Sequence, residues 1–137
     1  MDTRTETARW LNRLGCLVLV ASAIMHCVAY VKIASPAVLA SNLPRPFQSV
    51  FTVAFLSMAW SWFVLAIIAS LAGVQETKLR KPIVLICGFA VLIQAIFTVP
   101  FTGFFIGNEM IGAASLLMIA GGFAFAPVRS RAEVPAD

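Results

Sequence analysis

The strongest constraint on this chain is the run of residues 14–31, which carries no formal charge and lies between Arg13 and Lys32. With a helical turn on either side, at ~1.5 Å per residue, it reaches across the roughly 30 Å of a bilayer's hydrocarbon layer. Three more apolar stretches of similar length follow. The spans are expected at residues 12–33, 47–74, 82–102 and 108–127. The expected fold is therefore all-α: an integral membrane four-helix bundle forming one domain over residues 1–137.

Composition agrees with that reading. The 137 residues are 61% hydrophobic and 12% charged, with a mean hydropathy of +0.94, where soluble domains carry about 25% charge. Four crossings leave no room for a separate soluble catalytic module. The net charge of +4 could suggest nucleic acid, but the basic residues gather at helix ends. Orientation explains them there, and no nucleic-acid partner is expected.

Charge also predicts topology. Arg4, Arg9, Arg13, Lys78, Arg80, Lys81, Arg129 and Arg131 fall on one side of the expected membrane, against Lys32 and Arg45 on the other. Both termini and the middle connection should then be cytoplasmic. Trp10 stands where an interfacial aromatic belongs. A signal peptide cleaved near residues 38–40 is disfavoured, because the first apolar run exceeds the ~7–15 residues of a signal core and Lys32 intervenes. Residues 35–46, with Pro36, Pro44 and Pro46, read as a connection. Pro82 suits the first turn of the third helix, Pro100 kinks or ends it, and Pro127 stops the fourth.

Cys16, Cys27 and Cys87 fall inside spans without CxxC spacing, as small packing residues do. Close backbone approach contributes much of helix association in lipid. Gly15, Ser22 and Ala23 on the first helix, and Asn108, Gly112, Ser115, Ile119 and Gly122 on the fourth, are the packing faces expected. Gly103 and Gly107 form a GxxxG just before the latter. Trp60 and Trp62 sit deep in the second helix, and Trp60 shares a stripe with Ser49, Val53, Leu56 and Val64. It can pack there or wall a cavity for an apolar ligand.

Polar residues converge near the outer face. His26 lies about 9 Å along the helix from Lys32, on one face with Ser22 and Tyr30. The other helices bring Gln48 and Thr52, Gln94 and Thr98, and Asn108 and Glu109 to that level. Such groups in lipid need partners or water. The candidate catalytic pair is His26 with Glu109 as counter-charge. The candidate ligand-binding residues are Tyr30, Gln48, Thr52, Trp60, Gln94, Thr98 and Asn108. The alternative is that His26 simply ties the first helix to the second or third.

One histidine does not clamp a haem within one chain, and the ligand sets that zinc or copper needs are missing. No metal or cofactor is expected. No G-x-S-x-G, phosphate loop or intramembrane carboxylate pair appears either. In size and helix count the chain resembles the small multidrug-resistance transporters, which also have four helices. Those proteins depend on a glutamate in the first helix, whereas residues 14–31 here hold no carboxylate, so proton-coupled export does not carry over. The general form is also similar to small four-helix bacterial membrane families, which implies a bacterial inner membrane.

Two functional expectations remain. The first is an accessory or interaction subunit of a membrane complex, with a membrane-protein partner or a second copy of the chain. The second is a binder of a small apolar or lipid-like molecule, or an isomerase- or cyclase-type enzyme for one, in the pocket around His26 and Glu109. A closed internal cavity favours the second. Apolar aromatic residues facing outward on one flank favour the first.

Overall fold

The computed structural model describes residues 3–102 and 106–126, which form four helices long and apolar enough to cross a membrane. The first, α1, spans Thr3–Ala40, α2 spans Arg45–Val74, α3 spans Arg80–Thr102 and α4 spans Ile106–Ala124. They pack as a ring in which α1 meets α2, α2 meets α3, α3 meets α4, and α4 returns to α1.

The distribution of residue size is the reverse of a soluble core. The interior holds Gly15, Ala23, Ala59, Ala66, Ala69, Ala95 and Ala114, with Cys16, Cys87, Leu19, Val91, Ile111, Met118 and the single large ring of Trp62 filling the remainder of this cluster. Large apolar side chains face outward, among them Leu17, Ile33, Val53, Trp60, Ile86 and Phe97. Water would penalise so much exposed apolar surface. In lipid there is no such penalty, and small residues inside let the backbones approach.

Glycines show how close that approach is. A Cβ at Gly15 would lie 2.7 Å from Met118 Cγ and 2.9 Å from the Ala114 carbonyl oxygen. Consecutive glycines on α4 serve different neighbours. Gly121 meets the backbone of Ala8 and Asn12 on α1, and Gly122 meets Leu85 and Val84 on α3. Asn108, Ser115 and Gly122 of the expected α4 stripe are buried, but Gly112 opens onto empty space. The close contacts with α1 come instead from Ala114, Met118 and Gly121. Gly103 lies outside the described residues.

The first helix departs most from the sequence reading. Residues 35–46 are not all connection: the helix continues through Pro36 to Ala40, and only residues 41–44 link α1 to α2. A proline ring inside an α-helix collides with the carbonyl four residues back. Here Tyr30–Ala34 widens into a π-helical turn just before Pro36, and the Ser35 amide bonds Tyr30 O, five residues back. The wider turn accommodates the ring, so the chain bypasses the break. The N-terminal end is also helical from Thr3, because Ala8 is fully buried against Ala72, Val84 and Phe125. At the other side of the ring, α3 carries Pro100 within it and runs on to Thr102.

Candidate functional site

On α1, His26 and Tyr30 lie one turn apart and face α2. The His26 ring stacks on Phe55, with centroids 4.0 Å apart and planes 14° from parallel, and meets the edge of Trp62 at 5.0 Å. Its Nε2 lies 3.2 Å from the Phe55 carbonyl oxygen. A carbonyl only accepts, so Nε2 carries the proton in this contact. Tyr30 donates its hydroxyl to Thr52 Oγ1 at 2.6 Å, and Thr52 in turn donates to the Gln48 carbonyl at 3.0 Å. Both hydroxyls are thereby satisfied inside an apolar layer.

The next contact crosses from α2 to α3. Trp62 donates Nε1–H to Gln94 Oε1 at 2.6 Å. From α3 to α4, Thr98 Oγ1 lies 3.0 Å from Asn108 Oδ1 and 2.9 Å from the Ala95 carbonyl, so its one proton is shared between two acceptors. The polar residues expected to line one pocket thus form successive ties between neighbouring helices. Gln48 stands apart from them. Its amide nitrogen donates to the Leu43 carbonyl at 3.0 Å and closes the 41–44 link.

Glu109 does not join this arrangement. It is exposed on α4, and its side chain makes no hydrogen bond or ion pair with any described residue. Among the described residues the ring and hydrogen-bond partners of His26 are Phe55, Trp62 and a backbone carbonyl, and none of them supplies a counter-charge. That geometry suits a neutral imidazole that anchors α1 to α2.

Trp60 also takes a different place from Trp62. It is 67% exposed, whereas Trp62 is 3% exposed. Periodicity carries this information: Ala59, Trp62, Ala66, Ala69 and Gly73 recur every three or four residues and are all buried. That stripe of small residues turns Trp62 inward and Trp60 out. Phe55, one turn before Ala59, is the partner of His26 that the sequence reading missed.

Trp60 instead stands at an apolar groove of about 770 Å³ between α1 and α2, open to the outside. Ala23, Cys27, Ser57 and Ala59 lie along it together with Thr52, Trp60 and Phe63. Of the candidate ligand-binding residues, Thr52 and Trp60 line this groove, whereas Tyr30, Gln48, Gln94, Thr98 and Asn108 lie outside its lining, as does His26. Among the described residues, no three histidine, cysteine or acidic side chains come together as metal ligands would. Comparison with known proteins matched the chain to no family model, no curated protein and no solved structure.

Proposed function

We propose that this chain is an accessory or interaction subunit of a membrane complex, and that a transmembrane helix of its partner seats in the groove between α1 and α2. The observation that carries the reading is the groove itself. It is open, apolar and lined in part by small residues, which allow a helix backbone to approach closely. Trp60 and Phe63 on one side, with ring centroids 6.1 Å apart, provide the large flat surfaces that interfaces favour. The polar groups nearby support the same reading, because Tyr30 pairs with Thr52, Trp62 pairs with Gln94, and His26 has no acidic partner among the described residues. In this proposal the bundle sits in a bacterial inner membrane with both termini cytoplasmic.

The test is site-specific photocrosslinking in the host membrane. A benzophenone side chain at Trp60 is expected to yield one protein adduct of discrete mass. Ser57→Phe, which fills the groove from an exposed position, should abolish that adduct without lowering Tm. A probe at Leu116, exposed on α4, should not yield it. Adducts with lipid alone, or equal adducts from both probe positions, would overturn the reading.

A further inference from the structure

Four segments converge at the end of the bundle where α1 begins and α4 finishes. Arg9 comes from α1, Glu76 from the link between α2 and α3, Arg80 from the start of α3, and Phe125 from just beyond α4. Arg9 Nη2 contacts Glu76 Oε1 at 2.9 Å, while Arg9 Nε is buried with no hydrogen-bond partner among the described residues. Arg80 is only 4% exposed. Its guanidinium carbon sits 4.3 Å from the centroid of the Phe125 ring, and the guanidinium makes no hydrogen bond or ion pair with any described residue. The charges of Arg9 and Glu76 both act on it.

This arrangement is out of balance. One carboxylate, itself largely exposed, faces two guanidinium groups, and the more deeply buried of the two has no acceptor among the described residues for its five N–H donors, which still reach the surface. A buried cation in that condition is costly unless an anion completes it. Phe125 holds the guanidinium against an aromatic face, which fixes its position without using its donors. Surrounding residues place the site at headgroup level: exposed Trp10 lies beneath Arg13 at 6.0 Å, and Lys81 stands 5.8 Å from the Phe123 ring. Aromatic and basic residues of this kind mark the membrane–water boundary, where phosphate groups are concentrated.

We propose that Arg80 and Arg9 form a binding site for a phosphate-bearing anion, entered between the α2–α3 link and the end of α4. The planar guanidinium fork matches two phosphate oxygens at once, which an ammonium does not. An acidic phospholipid headgroup and free phosphate share this chemistry. The site is independent of the α1–α2 groove, so it stands or falls apart from the proposed partner.

The test is thermal denaturation of the full chain, purified in a neutral detergent with chloride buffer. It is titrated separately with phosphatidylglycerol, with diacylglycerol of the same acyl chains, and with inorganic phosphate against chloride at equal ionic strength. Phosphatidylglycerol is expected to raise Tm by about 4 °C, and diacylglycerol to leave it unchanged. A rise with inorganic phosphate as well extends the ligand to the free anion; a rise with the lipid alone assigns the headgroup. Arg80→Met should remove at least half of the rise. Arg9→Gln, at a position nearer the surface, should also reduce it and serves if the first variant does not fold. No rise with either phosphate source, an equal rise with diacylglycerol, or an undiminished rise in both variants would overturn the site.

Discussion

Trp62 Nε1 donates to Gln94 Oε1 at 2.6 Å, and this bond connects the middle of α2 to α3 in a layer where water is scarce. It belongs to a series in which Tyr30 reaches Thr52 and Thr98 reaches Asn108. Interhelical hydrogen bonds in membrane proteins average ~0.6 kcal/mol, with a maximum near ~1.7. The 2.6 Å separation and the burial of Trp62 place this one toward the upper end. Trp62→Phe and Gln94→Leu should each lower stability by about 1–2 kcal/mol, each leaving a polar partner behind. The double variant should lose less than the sum of the two. A double-mutant cycle by reversible unfolding in mixed micelles measures the difference, and strict additivity would mean that the bond contributes nothing.

His26 and Glu109 should separate cleanly. His26→Ala removes a ring stacked on Phe55 together with its bond to the Phe55 carbonyl, at an expected cost of about 2–3 kcal/mol. Glu109→Gln changes an exposed side chain and should stay within about 0.5 kcal/mol of the parent. His26→Phe keeps the stack and should recover roughly half of the loss. Thermal unfolding of the three variants checks the order. Equal destabilisation by the histidine and glutamate changes would contradict the geometry.

Two glycines predict opposite outcomes from the same substitution. At Gly15 an added methyl meets Met118 and the Ala114 carbonyl, so Gly15→Ala should cost about 1–3 kcal/mol as α1 and α4 are pushed apart. At Gly112 an added methyl would meet nothing within 4 Å, and Gly112→Ala should stabilise by about 0.5–1 kcal/mol through the unfolded chain and helix propensity. Both are read as Tm shifts in one detergent. A neutral Gly15→Ala would show that the α1–α4 contact is looser than these distances require.

Cysteine access distinguishes the groove from the core. Cys16 and Cys87 are buried, whereas Cys27 is partly exposed and lines the groove. A small lipid-soluble maleimide should therefore modify Cys27 alone in the folded protein and all three thiols after unfolding in dodecyl sulfate. Mass spectrometry of the intact chain counts the adducts. Modification of Cys16 or Cys87 before Cys27 would refute the packing described.

Much of the architecture is legible in the sequence, and the reason is the solvent. Lipid obliges a chain to satisfy its backbone internally, so an apolar run of sufficient length is a helix whatever its neighbours. The runs bounded by Arg13 and Lys32 and by Pro46 and Gln75 therefore announce α1 and α2, and the placement of Lys and Arg carries an expectation of orientation. The polar residues at one level, from Tyr30 to Asn108, are also visible. Their pairing is not, because a run apolar on every face hardly indicates which side turns inward.

Tertiary packing makes that choice. On α2 the small residues Ala59, Ala66 and Ala69 are buried in the core, and their stripe carries Trp62 to Gln94 while leaving Trp60 outside. The same logic leaves Glu109 exposed, since α4 approaches α1 through Ala114, Met118 and Gly121. Pro36 reads as punctuation because a proline lacks an amide hydrogen and its ring crowds the preceding turn. Whether that ends α1 depends on the widened turn at Tyr30–Ala34, with Tyr30 itself held by Thr52 on α2. Helix existence is thus set locally by hydropathy and length, whereas helix rotation, and with it every side-chain partnership, is decided only where backbones meet.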